Sequence, residues 1–129
     1  MVHFKEKARY DYDDLLEIIR VLRSPEGCPW DQVQTHQSIR RGLLEEAYEA
    51  AEGIDRDDAD LLREELGDVL FAAVKAARFA GVDPEDALNA ACEKFIRRYA
   101  AVEQGARDRG VSVSDLTLEE MTGLWNAAK

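Results

Sequence analysis

The sequence predicts an all-α protein, and three of its features carry that prediction. Apolar residues recur every three or four positions along most of the chain, which is the period of a helix with one buried face. Helix start signals recur too, such as Asp83-Pro84 and the run Thr117-Leu118-Glu119-Glu120. No stretch of useful length alternates with the period of two that is typical of a strand. We therefore expect an antiparallel bundle of four to five helices and no sheet.

Length and composition narrow the class of protein. The 129 residues suffice for one domain with a modest core, so we treat residues 1–129 as a single domain. The net charge of −10 argues against nonspecific binding to nucleic acid or anionic membranes. There is no leader pattern and no membrane-spanning apolar run, and Cys28 and Cys92 fit neither a disulfide framework nor a zinc site. We expect a cytoplasmic protein without nucleic-acid or membrane partners.

The first half of the chain predicts two helices around a loop. Asp11 or Asp13 caps the first helix, and Pro25 stops it. Residues 24–35 contain two prolines and a glycine and read as a loop. The second helix ends at Gly53, which suits a left-handed C-terminal cap.

The second half of the chain predicts three more helices. The third runs from about Asp58 to Phe79, and the short connection before it places it antiparallel to the second helix. The fourth begins at Asp83-Pro84 and continues to about Arg107. A short final helix follows the capping box, from Leu118 to about Ala128.

The second and third helices each carry a pair of carboxylates. Residues three apart lie on one face of a helix, so Glu46 sits over Glu49 and Glu65 sits over Asp68. Glu65 projects onto the middle of the apolar stripe of its helix. Four unpaired carboxylates brought together repel one another and lose hydration unless a cation lies among them. Oxygen ligands of this kind suit Mg²⁺ or Mn²⁺.

Other acidic residues of these helices have a simpler interpretation. Glu45, Glu52 and Glu64 point away from the apolar stripes, as expected for a solvated helix face. Glu45 has a second interpretation, because a carboxylate turned inward at that position could act as a base for an attacking water.

Two residues of the loop region are open to more than one interpretation. Trp30 either plugs the core or stacks on a planar ligand such as a nucleobase. Asp31 next to it is available to a metal-bound group or to a hydrogen bond within the loop. His36, beside a helix start, has a structural or a catalytic role.

Cations lie on the last two helices. Arg98 falls within the apolar stripe of the fourth helix, and Lys94 lies one turn earlier. The pair is a candidate phosphate clamp, with side chains that merely extend along an amphipathic helix as the alternative. Trp125 and Lys129 lie one turn apart on the final helix and share a face.

The motifs together resemble one known family. The sequence resembles the MazG family of nucleoside triphosphate pyrophosphohydrolases in its paired acids, in three further motifs and in the order of all of them. The three motifs are Leu-Arg-Ser-Pro-Glu-Gly-Cys-Pro-Trp-Asp (22–31), Gln-Thr-His-Gln-Ser (34–38) and Gly-Val-Asp-Pro-Glu-Asp-Ala-Leu (81–88). The resemblance covers residues 12–129. One departure is Cys92, because the second domain of long family members tends to have asparagine there.

The resemblance implies a fold, a reaction and a set of site residues. The helical bundle would be completed by dimerisation or by a higher homo-oligomer. The reaction would convert a nucleoside triphosphate to the monophosphate and pyrophosphate with Mg²⁺. The implied metal ligands are Glu46, Glu49, Glu65 and Asp68, and the implied substrate contacts are Lys94 and Arg98 at the phosphates, with Trp125 and Lys129 near the nucleotide.

Two other functions remain open at this point. A relative with the same fold could act on dUTP, dCTP or a modified nucleotide, because a few pocket residues decide the base. A non-catalytic helical interaction module could keep the carboxylates only to bind metal or a partner. The cellular role is open as well, between the clearance of damaged nucleotides and the adjustment of a signalling pool.

Overall fold

The structure, a computed structural model, describes residues 2–129, and no strand occurs among them. The all-α prediction is confirmed. Within this range there are six α-helices and a 3-10 turn at Val113–Asp115: α1 (Tyr12–Leu22), α2 (Pro29–Val33), α3 (Arg40–Asp55), α4 (Ala59–Phe79), α5 (Pro84–Asp108) and α6 (Leu118–Ala127). The chain forms two compact units, one ending at Pro84 and one spanning Glu85–Lys129. No helix in residues 2–129 combines the length and apolarity needed to cross a bilayer.

Helix α1 begins where the sequence predicts. Asp11 is the N-cap, and its Oδ1 accepts a hydrogen bond from the backbone N–H of Asp14 at 3.0 Å. The Asp14 carboxylate accepts in return from the backbone N–H of Asp11 at 2.9 Å. This reciprocal capping box satisfies two backbone donors that a helix start leaves free. The helix packs against α4 and buries Ile19.

Helix α2 lies in the stretch that the sequence predicts as a loop. Cys28 is its N-cap and Pro29 occupies the first turn, where the fixed backbone angle of proline favours a helix start. Only five residues long, the helix is too short for a hydrophobic period to reveal it. It holds Asp31 inward and leaves Trp30 on the surface.

Helices α3 and α4 pack against each other in antiparallel directions. Asp58 caps α4, accepting from the backbone N–H groups of Asp60 and Leu61. Glu49 lies beside Glu65, whereas Gly53, later in α3, meets Leu62, earlier in α4. Contacts that lie later in α3 therefore lie earlier in α4, which is the arrangement of a helical hairpin.

The predicted role of Gly53 as a C-terminal cap is wrong. Helix α3 continues through Asp55, and the residue with a left-handed backbone is Asp57, at φ 53°. Gly53 is instead buried against α4, where a Cβ would lie 3.0 Å from both the N and the Cα of Leu62. The glycine is needed for the close approach of two helices, which a local pattern in the sequence does not reveal.

The second unit has its own small core. Val102 and Ala106 of α5 and Leu116 after the 3-10 turn are buried, and the partly buried side chains of Val113, Met121, Leu124 and Trp125 pack on them. The predicted capping box of α6 is confirmed: Thr117 Oγ1 accepts from the backbone N–H of Glu120 at 3.1 Å. Gly110, just beyond α5, has a positive φ of 72°, which favours glycine.

Candidate functional site

A buried carboxylate lies at the packed face of α3 and α4. The Glu65 residue is only 8% exposed, as its place on the apolar stripe predicts. Its Oε2 is buried and has no hydrogen-bond partner within residues 2–129. Burial raises the pKa of Glu65, and a hydrogen bond with Glu49 and the charges of Glu49, Glu64 and Asp68 raise it further.

Glu65 belongs to two groups of three acidic residues. It lies with Glu46 and Glu49 in one group and with Glu64 and Asp68 in the other. In each group one oxygen of every carboxylate lies within 4.8 Å of the others. The structure thus brings the predicted acids of α3 and α4 together, with Glu65 shared by both groups.

Glu46 shows the same electrostatic effect. It is half-buried, and desolvation raises the pKa of its carboxyl group, with further increases from Asp68, Glu49 and Glu45. A raised pKa in two neighbouring glutamates means that the negative charges lack compensation from the residues around them. The cluster therefore favours either protons or a cation.

The donor set fits a hard divalent cation. Ligand oxygens of one Mg²⁺ lie about 2.1 Å from it and hence at most about 4.2 Å apart. Small side-chain rotations would bring oxygens spaced within 4.8 Å to that separation. A bound cation would also give a partner to the Oε2 of Glu65, which is buried and has none within residues 2–129. The set offers only carboxylate oxygens, which suit Mg²⁺ or Mn²⁺.

The three acids predicted to lie on solvated helix faces differ in their contacts. Glu52 pairs with Arg56 on the surface of α3. Glu45 is exposed, and its Oε1 accepts from Arg41 Nε at 2.7 Å. Glu64 is exposed as predicted, yet its carboxylate joins the group of Glu65 and Asp68. Its spacing of four residues from Asp68 is the signal that could have identified it.

A pocket adjoins the carboxylates within the first unit. It has a volume of about 370 Å³, and Glu45, Glu46 and Asp68 form part of its wall. The other lining residues come from α2 to α4 and the segment between α2 and α3: Trp30, Gln34, Ser38, Ile39, Arg41, Gly42, Leu43, Phe71, Ala72 and Lys75. Trp30 is 71% exposed, so it does not plug the core of the unit. His36 is exposed and is not part of this pocket.

An ion pair lies in the pocket wall beside Trp30. Lys75 Nζ lies 2.6 Å from Oδ1 of Asp31, and the Asp31 side chain is only 8% exposed. Asp31 is thus engaged with α4 rather than with its own loop. No local pattern singles out Lys75, because its partner Asp31 lies far away along the chain.

The predicted cations and Trp125 lie in the second unit. Lys94 and Lys129 are exposed. Arg98 is half-buried, and its guanidinium carbon lies 5.8 Å from the centroid of the Trp125 ring, which also packs on Phe95 with centroids 5.3 Å apart. The Nε of Arg98 is buried and has no hydrogen-bond partner in the described chain. Arg98 and Trp125 therefore lie together in this unit, and the phosphate clamp stays a prediction.

Comparison with known proteins places these features in a family. The MazG nucleotide pyrophosphohydrolase domain matches residues 34–103, a range that includes all the clustered acids. A crystal structure of a mazG-related protein from Thermotoga maritima is similar with a TM-score of 0.63 and 30% identity, covering 90% of this chain and 96% of that one.

Two longer relatives are also similar in sequence. The "Nucleoside triphosphate pyrophosphohydrolase/pyrophosphatase MazG" of Thermotoga maritima is 44% identical over 95 residues, which cover 70% of this chain and 37% of that protein. The "Nucleoside triphosphate pyrophosphohydrolase" of Escherichia coli is 44% identical over 95 residues, which cover 70% of this chain and 36% of that protein. This chain thus spans little more than a third of either relative. Since the family match extends over more than half of its residues, the chain belongs to the MazG nucleotide pyrophosphohydrolase domain family.

Proposed function

We propose that the protein hydrolyses nucleoside triphosphates to monophosphates and pyrophosphate with a divalent cation, Mg²⁺ or Mn²⁺. The observation that carries the proposal is the buried Glu65 carboxylate, which lies among Glu49, Glu64 and Asp68 with one oxygen unpartnered in residues 2–129. Two relatives whose names state this activity support the reaction class.

The acids of α3 and α4 divide into ligands and a base. Glu46, Glu49, Glu65 and Asp68 would hold the cation, which would neutralise triphosphate charge and make a nearby water more acidic. Glu45, in the pocket wall beside Glu46, would accept the proton of the water that attacks the α-phosphorus. The bond to pyrophosphate would break as the new phosphorus–oxygen bond forms.

The cations that the family resemblance implies at the phosphates lie in the second unit. Lys94 offers a mobile point charge, and Arg98 offers a guanidinium whose Nε has no partner in the described chain. The guanidinium carbon lies 5.8 Å from the centroid of the Trp125 ring, within the range of a cation–π contact. Lys129, exposed at the end of the chain, would add charge near the nucleotide.

We further propose that the protein works as a homodimer or higher homo-oligomer in the cytoplasm. Leu66 and Leu70, one turn apart on α4, are 48% and 67% exposed, and Tyr48 on α3 is 75% exposed. Large apolar side chains that share a helix face and remain open to water mark an interaction surface. Cys28 and Cys92 are both free thiols, which accords with a reducing compartment.

Product analysis tests the proposed reaction. Purified protein would be incubated with Mg²⁺ and each common NTP and dNTP, and pyrophosphate would be separated from orthophosphate. We expect pyrophosphate and the monophosphate in equal amounts.

Glu49→Ala should lower the rate at least about 100-fold, because it removes a proposed metal ligand itself rather than a residue that only orients a ligand. Glu52→Gln, on the solvated face of the same helix, is the matched control and should retain the rate.

Three results would contradict the proposal. Release of orthophosphate alone would show that another bond is cleaved. Normal turnover by Glu49→Ala would remove the assigned ligand set. No turnover with any nucleotide, from a folded and metal-loaded protein, would favour the interaction module instead.

A further inference from the structure

We propose that the pocket beside the carboxylate cluster holds the nucleobase, and that Lys75 makes it select bases that present a carbonyl oxygen. The inference takes its substrate class from the proposed function. It adds a specificity-determining residue that lies outside the acidic motif and that pairs with the buried Asp31.

The shape and walls of the pocket suit a planar ring. Its volume of about 370 Å³ falls within the range of small-molecule sites. Trp30 and Phe71 supply aromatic surface, and the Trp30 ring is largely exposed and thus free to stack. Glu46 and Asp68 belong both to this wall and to the acidic groups. A ligand whose phosphates reach the acids through a cation would therefore extend its other end into this pocket.

The Lys75 ammonium is held in place rather than mobile. Asp31 is buried, and its Oδ1 forms an ion pair with Lys75 Nζ at 2.6 Å. Since an ammonium has three N–H bonds, two remain for a ligand. The buried Asp31 thus fixes a hydrogen-bond donor in the pocket wall.

The amide of Gln34 is oriented to donate as well. The Ser38 hydroxyl donates to Gln34 Oε1 at 2.5 Å, so the acceptor atom of the amide is engaged and the Nε2 group is left to donate. Arg41, in the same wall, gives its Nε to Glu45. Lys75, Gln34 and Arg41 therefore bring donor groups to the wall of this pocket.

A wall of donors discriminates between bases by the group at their edge. Guanine presents a carbonyl at its sixth position, and uracil and thymine present one at their fourth, whereas adenine presents an amino group. An ammonium facing an amino group leaves both donors without a partner in a partly dry pocket. Loss of the hydrogen bond to this charged donor should lower the affinity for adenine, relative to a base with a carbonyl group, by roughly 10- to 100-fold.

Binding and turnover together provide the test. Equilibrium dialysis would measure the affinities of the non-hydrolysable α,β-methylene analogues of GTP and ATP, and kcat/KM would be measured for GTP, UTP and ATP. We expect the GTP analogue to bind at least about tenfold more tightly than the ATP analogue. The kcat/KM values for GTP and for UTP should likewise both exceed the kcat/KM value for ATP.

Variants separate the role of Lys75 from general effects on folding. Lys75→Met keeps the aliphatic stem and removes the ammonium donor, and the ratio of the two affinities should fall toward one. Because this change leaves Asp31 buried without its partner, the double variant Lys75→Met/Asp31→Asn removes both charges and should give the same ratio. Lys5→Met makes the same chemical change at an exposed lysine and should leave the ratio as in the unchanged protein.

The possible outcomes distinguish the inference from the reaction. Equal affinities for the two analogues in the unchanged protein, or an undiminished ratio in both Lys75 variants, would overturn the inference. Pyrophosphate release without base preference would leave the proposed function and remove the selection by Lys75. Selective, Lys75-dependent binding without turnover would support the pocket assignment and remove the proposed reaction.

Discussion

Glu65 is a buried carboxylate among other acidic residues, so its negative charge is unfavourable in the protein without metal. Its pKa is raised by burial first and then by Glu49, Glu64 and Asp68, while the pKa of Glu46 is raised by burial and by Asp68, Glu49 and Glu45. Between the ordinary glutamate pKa of about 4.3 and the raised values, the folded protein binds more protons than the unfolded chain. The free energy of unfolding should therefore fall as pH rises through that window.

Urea unfolding at a series of pH values, in the presence of a chelator, measures this effect. We expect these two glutamates to make the metal-free protein lose stability as the pH rises above about 4, the ordinary pKa of a glutamate. Glu65→Gln removes the buried charge and should make the decline shallower, whereas Glu52→Gln should leave it unchanged. An unchanged slope in Glu65→Gln would show that this carboxylate is not the source.

At the scale of the elements, the α3–α4 hairpin depends on a glycine. A Cβ at Gly53 would lie 3.0 Å from the backbone N and Cα of Leu62, and a backbone cannot rotate away as a side chain can. We expect Gly53→Ala to lower the free energy of unfolding by about 1–3 kcal/mol despite the better helix propensity of alanine. Chemical denaturation measures the change.

Gly42 provides the matched control on the same helix. A Cβ there meets nothing within 4 Å, so Gly42→Ala should raise the free energy of unfolding by about 0.5–1 kcal/mol through helix propensity alone. If both alanine variants changed stability in the same direction, close packing at Gly53 would not be the reason that glycine stands there.

At the scale of the whole molecule, the exposed apolar side chains of α3 and α4 predict an assembly of identical chains. Leu70 is 67% exposed, and a glutamate there would bring a charge into any apolar contact between copies. We expect a dimeric or larger mass by analytical ultracentrifugation and a shift toward the single chain in Leu70→Glu. Circular dichroism would verify that the variant stays helical. A single-chain mass for the unchanged protein at micromolar concentration would contradict the assembly.

Much of the helical framework could be predicted because its signals are local. Thr117 forms the capping box that its spacing indicates, and Asp11 is one of the two caps expected for the first helix. The burial of Glu65 could be predicted too, because helical periodicity alone places it on the apolar stripe.

The rest depends on contacts between distant parts of the chain. Gly53 looks like a cap until its neighbour across the hairpin is known, and Lys75 looks like any charged residue on a helix until Asp31 is seen beside it. The division into two compact units was not expected either. The single domain over residues 1–129 stays a prediction, supported by a family match that includes residues from both units.

The most direct test of the central claim is a calorimetric titration with Mn²⁺, since it does not depend on the identity of the substrate. We predict binding of at least one Mn²⁺ per chain by the unchanged protein and by Glu52→Gln. Glu65→Gln should bind at least about tenfold more weakly, because it loses the ligand common to both acidic groups. Equal affinity in all three proteins, or no binding by the unchanged protein, would contradict the assignment of these carboxylates as a metal site.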